Sequence, residues 1–292
     1  MQNVTPAAVA ALVIELIPAA LFGLAAEQVG RSLQRWPVAA RIAFPALCVL
    51  PYFAISASQH LFHWKWFALY AGLPVAMTWL LERAAVADPE QRGNWRDASA
   101  LLVLGLAVDL RWFDAAWPAG LQALGKLLLV DMGLYGFLAI RQLSGTGFDF
   151  HLKWSDLKTG LRELILFAPV VLMVGLALDF IHPHANVPGV AEAALTWIGI
   201  FFFIALPEEL YFRAWVQNLL ERCLGRRAAL MIASVLFGLS HFNKRSAHFN
   251  WRYVLLATIA GIFYGRAWRK NRRVPASSIT HASVDWIWSW WF

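Results

Sequence analysis

Apolar stretches of about 15 to 22 residues recur along the chain, each ended by a short polar turn or a cluster of charges. A helix needs about 20 residues to cross the ~30 Å hydrocarbon layer of a bilayer. Within each stretch few apolar positions form a single stripe, and no fixed sequence period repeats, so a soluble helical solenoid is disfavoured. The pattern predicts ten helices, over roughly 6–28, 37–56, 62–81, 98–113, 118–140, 161–182, 190–221, 228–242, 250–268 and 274–291. The expected fold is all-α: a polytopic membrane helical bundle with about 8–10 transmembrane helices.

Composition sharpens this picture. The chain is 60% hydrophobic and 15% charged, with a mean hydropathy of +0.54. Its 16 tryptophans gather near the ends of the apolar runs, as an interfacial aromatic belt does. The two cysteines, Cys48 in an apolar run and Cys223 in a basic segment, fall at different membrane depths and form no Cys-x-x-Cys pair. They are read as packing residues. The stretch 1–6 lacks the positive segment of a secretory signal, and the apolar run after it holds Glu15, so the first helix is expected to be retained.

The net charge of +7 follows loop positions and not one face, which argues against nucleic acid as a partner. Alternate loops, around 31–41, 83–96, 141–162, 222–227 and 266–273, hold 18 Lys and Arg, against five on the other set: Lys65, Arg111, Lys244, Arg245 and Arg252. The positive-inside rule then places the 18-charge side in the cytoplasm and both termini outside. The expected location is a cell inner membrane, as a multi-pass protein with the lipid bilayer as its partner. The polar connection 141–162 separates five helices from five. Residues 1–150 read as a variable scaffold and 151–292 as the part that carries chemistry.

Ionisable side chains inside apolar spans are costly unless paired or facing a wet cavity, so they mark candidate sites. Three short motifs stand out. In Pro207-Glu208-Glu209-Leu210-Tyr211-Phe212-Arg213, helical spacing puts Glu209 and Arg213 on one face, where they can pair, and leaves Glu208 about 100° away. Pro207 removes one backbone hydrogen bond and frees a carbonyl of the preceding turn. In Phe237-Gly238-Leu239-Ser240-His241 an aromatic ring and an imidazole lie one turn apart, with Gly238 allowing close helix contact. In His281-Ala282-Ser283-Val284-Asp285 an imidazole and a carboxylate share a face, as a metal half-site, a proton relay or an oxyanion-stabilising pair would. On these spans His241 falls near the outer end of its helix and His281 in the inner half of its own. Ser240, next to His241, is expected to face away from it, which argues against a Ser-His dyad. Glu15, Asp109, Lys126 and Asp131 are expected either to form one interhelical polar cluster or to reach the interface by snorkelling, a structural role in both cases.

Glu-Glu-x-x-x-Arg, Phe-x-x-x-His and His-x-x-x-Asn/Asp, in this order on separate helices, resemble the CPBP intramembrane protease family. That family comprises type II CAAX prenyl endopeptidases and bacteriocin-processing or immunity proteins with an Abi domain, and the likeness covers roughly 160–292. The resemblance implies an intramembrane endopeptidase acting near the end of a membrane-anchored or lipidated protein or peptide. By it, Glu208 with His241 would activate water, Glu209 and Arg213 with Phe237 would support the motif, and His281 and Asp285 would polarise the carbonyl or stabilise the oxyanion. Prenyl endopeptidases of this kind generally carry Asn where this chain has Asp285, and a carboxylate cannot donate to an oxyanion. A second form of the same chemistry has His241, His281 and Asp285 holding a divalent metal such as zinc, with Glu208 as base. His-Glu-x-x-His, Gly-x-Ser-Gly and Gly-x-Gly-Asp motifs are absent. The competing class is a non-enzymatic scaffold, immunity protein or transporter. Transport would spread ionisable residues over repeated halves. Here they gather in the last four helices.

Overall fold

Thr5, in extended conformation, accepts a hydrogen bond from the Ala8 N–H (3.2 Å) and so starts the first of ten helices. They are described by a computed structural model covering residues 5–184, 186–244 and 248–292. Met1 to Val4, within the segment read for a signal, and Arg245, counted in the charge argument, lie outside the described residues. The helices are α1 (Pro6–Gln34), α2 (Val38–Ser58), α3 (Trp64–Ala87), α4 (Trp95–Asp109) and α5 (Gln122–Ile140). They continue as α6 (Trp154–Ala177), α7 (Val190–Leu224), α8 (Arg226–Leu239), α9 (Trp251–Asn271) and α10 (Val274–Trp291). No strand interrupts them among the described residues. Five helices, α1, α2, α5, α6 and α7, are long and apolar enough to cross a bilayer by length and composition. This is the all-helical, polytopic architecture that the hydropathy pattern predicts.

The chain divides into two units, Met1–Ser144 and Gly145–Phe292. In the first, Arg141 follows the end of α5 and is almost fully buried. Its Nε donates to Asp97 (2.9 Å) and its Nη2 to Asp88 (2.6 Å). Asp88 also accepts from the Arg92 and Gly93 N–H groups, closing the loop between α3 and α4. Of the polar residues Glu15, Asp109, Lys126 and Asp131, two come together in the interior of this unit. Glu15 on α1 and Asp131 on α5 are buried within electrostatic reach of each other, whereas Lys126 is exposed.

In the second unit α6 begins at Trp154, about two turns earlier than hydropathy alone indicates, because Asp156 caps it by accepting from the Lys153 N–H (2.9 Å). α9 packs on α6, α8 and α10, and α10 in turn packs on α6 and α7. Phe167, Phe212, Phe237, Ala257, Ala260 and Tyr264 form the core between these helices, and Phe201, Ala205, Ile279 and Ala282 join α7 to α10. α7 and α8 are separated by Gly225 alone, at φ 78°, a backbone that favours glycine. The segment before α6 is tied to the start of α10. Val274 N–H donates to the Gly147 carbonyl (2.8 Å), and Arg273 donates to Asp156, Asp149 and the His151 carbonyl at about 2.7–2.8 Å. Gly147 has φ 72°, and a Cβ there would strike the Arg272 backbone. Partial burial acts to raise the Asp149 carboxyl. The Arg273 hydrogen bond, with those from His151, outweighs it and holds the group at about 2.

Candidate active site

α7 carries the first motif in an unusual backbone. Residues Phe201–Ala205 and Leu210–Gln217 are π-helical, with one α-helical turn, Leu206–Glu209, between them. Pro207 supplies a cause, since it lacks the N–H that would bond to the preceding turn and its ring crowds the carbonyl there. π-segments within helices often mark functional sites because they re-aim side chains. Here they leave Glu208 and Glu209 on different sides of the helix.

Glu209 and Arg213 are fully buried, and the Arg213 Nε donates to Glu209 Oε2 (2.8 Å). The other oxygen, Glu209 Oε1, accepts from His281 Nδ1 on α10 (2.9 Å). One carboxylate thus ties the motif helix to α10. The Arg213 guanidinium also lies over the Phe237 ring at 5.3 Å. This burial sets Glu209 and Arg213 in the interior and not at a solvated helix end.

Glu208 keeps 28% of its side chain exposed and points to the open side of the site. Its Oε1 is 3.8 Å from Lys244 Nζ and its Oε2 is 4.0 Å from His281 Nε2. The same His281 Nε2 is 3.4 Å from Asp285 Oδ2, one turn further along α10. Tyr264 of α9 stacks on the His281 ring, with centroids 4.6 Å apart and planes 15° apart, and Phe237 meets it edge-on at 5.6 Å.

His241 lies in the turn after α8, which ends at Leu239. Its ring is 4.9 Å from Phe237, so Phe237 touches both imidazoles and brings His241 and His281 to one site despite their different helical depths. Gly238 makes this packing feasible, since any Cβ there would overlap Thr258 and the Val254 carbonyl of α9. His241 Nδ1 is 2.8 Å from the Phe237 carbonyl, an acceptor only, so the hydrogen sits on Nδ1 and Nε2 offers its lone pair. Lys244 Nζ, 3.3 Å away, donates to that nitrogen.

One expectation is corrected. Ser240 does not face away, because the chain leaves helical geometry at this point. Its Oγ is 3.2 Å from His241 Nδ1. Its hydrogen nevertheless goes to the Phe237 carbonyl (2.8 Å), so it closes the end of α8 and is not primed by the imidazole. The metal reading concerns His241, His281 and Asp285. Among the described residues no three His, Cys, Asp or Glu side chains are grouped to hold an ion. His281 Nδ1 faces Glu209 and His241 Nε2 faces Lys244, which leaves His281 Nε2 and Asp285 Oδ2, 3.4 Å apart, as metal-type donors turned toward each other.

The structure therefore gathers all seven motif residues and adds Lys244 and Tyr264. Residues 190–287 match the family model for type II CAAX prenyl endopeptidases, Rce1-like. No curated protein and no solved structure matches the chain. The matched segment runs from the first residue of α7 into α10 and contains every residue of the site. It bears out the resemblance carried by the three motifs and supports a CAAX-type intramembrane protease embedded in a lipid bilayer. Tyr264 and Lys244 belong to no four-residue motif. The available signal for Tyr264 was its place on the small-residue face Ala257, Ala260, Gly261 and Gly265, where one large ring stands out.

Proposed function

We propose that the protein is an intramembrane endopeptidase that hydrolyses a peptide bond near the end of a membrane-anchored or lipidated protein, with Glu208 as general base. The observation that carries this reading is the division of labour between adjacent glutamates. Glu209 is fully buried and engaged by Arg213 and His281, whereas Glu208 keeps 28% of its side chain exposed, with Lys244 Nζ at 3.8 Å and His281 Nε2 at 4.0 Å. A carboxylate so placed can take a proton from water as the water oxygen attacks the scissile carbonyl, then return it to the leaving amine. Tyr264 and Glu209 fix the His281 ring, which presents Nε2 toward Glu208 and Asp285, where the carbonyl would be polarised. His241, with Nε2 turned toward Lys244 beside Glu208, would assist the water.

Glu208→Gln preserves size and removes the base. Mass spectrometry of protein termini in membranes is expected to show new carboxyl termini with the wild type and none with Glu208→Gln, and this would also reveal the substrate. Equal termini with both proteins would overturn the reading. Because no three His, Cys, Asp or Glu side chains are grouped to hold an ion among the described residues, cleavage is expected to persist in excess chelator. Its loss, with recovery on adding zinc, would instead favour the metal-dependent form.

A further inference from the structure

The start of α6, the α7–α8 turn and the end of α9 meet on one side of the second unit. Over 154–163, 218–227 and 266–273 they bring ten Lys and Arg together with three acids. All three acids are engaged. Asp156 accepts from Arg273 (2.7 Å), Glu221 accepts from Arg272 (2.6 Å), and Glu163 lies 3.1 Å from Arg266. Arg269 reaches from α9 to donate to the Arg226 carbonyl at the start of α8 (2.8 Å). This brings Arg226, Arg227, Arg269 and Lys270 to one corner, and among the described residues no salt bridge joins any of the four to a carboxylate. Glu221 is within electrostatic reach of Arg269 but is held by Arg272, and Arg226 and Arg266 repel the same guanidinium. The first unit is built differently. There Arg31, Arg41, Arg92 and Arg141 each meet a carboxylate, at 3.4, 3.2, 2.6 and 2.6 Å. A loop bias that only fixes membrane orientation needs no such crowding of like charges.

We propose that this corner is a binding face for anionic phospholipid headgroups, whose phosphates supply the negative charge that the fold withholds. Guanidinium groups match phosphate oxygens in pairs, and three of the four cations are arginines. Clusters of about four to eight Lys and Arg beside a membrane helix attract acidic lipids, by about fivefold in affinity per charge. Leu224 is exposed two residues before Arg226, so the corner borders an apolar surface, as the headgroup layer borders hydrocarbon. An acidic soluble protein would meet the same charges but not the leucine. The inference does not depend on the endopeptidase reading.

The test titrates the full-length protein, in a neutral detergent, with dioleoyl phosphatidylglycerol or dioleoyl phosphatidylcholine and counts bound lipid by native mass spectrometry. Phosphatidylglycerol is expected to bind at least about tenfold more tightly, with the difference shrinking as salt is raised. Arg226→Gln, Arg227→Gln and Arg269→Gln together should weaken phosphatidylglycerol at least about tenfold and leave phosphatidylcholine unchanged. Lysine at the same three positions should keep the affinity. Arg227→Gln alone, at an exposed side chain, should lose about three- to fivefold and keeps the test open if the triple variant does not fold. As a control, Arg35→Gln, Arg83→Gln and Arg96→Gln in the first unit should lose less than about threefold. Equal affinity for the two lipids would overturn the proposal, as would an equal loss in the control set, which would reduce the effect to net charge. Tighter binding of a polyglutamate peptide than of phosphatidylglycerol would assign the corner to an acidic protein instead. Full competition by soluble glycerol 3-phosphate would make it a site for free phosphate and not for lipid.

Discussion

Arg213 has no exposure and meets Glu209 one turn away, so the two charges survive burial only as a pair. Removing one partner of a buried pair costs about 3–5 kcal/mol, because the other charge is stranded. Arg213→Ala is expected to lower thermal stability in detergent by an amount of that order and to abolish cleavage, with Glu209 no longer able to hold His281. An unchanged melting temperature would refute the pairing argument. Helical spacing made this pair legible in the sequence, as it did the shared face of His281 and Asp285. Ser240 and Lys244 were not legible, because both follow the last helical residue of α8, where a rule of 100° per residue no longer applies. The link from Glu209 to His281 joins residues 72 positions apart, and no local pattern encodes it.

At the level of elements, the close approach of α8 and α9 at Gly238 is the packing contact on which the position of His241 depends. Gly238→Val would push the helices apart at a cost of about 1–3 kcal/mol, the usual range for overpacking. The expected outcome is a protein that still inserts and melts cooperatively but cleaves at least tenfold more slowly. Full activity would show that His241 does not depend on this contact. The segment before α6 behaves differently. Asp149 is held at about 2 by Arg273 and His151, below its unfolded value of about 3.9. Its contribution is therefore present above about pH 4 and is lost as the pH falls toward 2. Thermal unfolding followed down that range should show a steeper loss for wild type than for Asp149→Asn, and parallel curves would contradict it. Positions of the ten helices were readable from apolar runs. The early start of α6 was not, since it is set by the Asp156 cap in a polar stretch, and the π-segments of α7 were not, since Pro207 signals an irregularity without specifying which one.

For the whole molecule, the chain's charge asymmetry makes a claim about sidedness that its own thiols can test. Cys223 is exposed at the end of α7, beside Arg222, on the side assigned to the cytoplasm, and Cys48 is partly buried. In a Cys48→Ser background, a membrane-impermeant maleimide should label Cys223 in inside-out vesicles and spare it in intact cells. The reverse pattern would invert the topology. The division at Ser144 and Gly145 assigns the whole candidate site to the second unit, whose helices α7 to α10, with the turn after α8, supply its residues.

Glu209 stands on α7 and its second partner on α10, and this order matters while the protein is being made. His281 leaves the ribosome 73 residues after Glu208. At about 5–20 residues per second that interval is about 4–15 s. During it the motif glutamates are already in the membrane with Arg213 but without the imidazole and Asp285. On the proposed mechanism the site is complete only once the tenth helix docks, so the order of synthesis itself delays cleavage until the chain is whole.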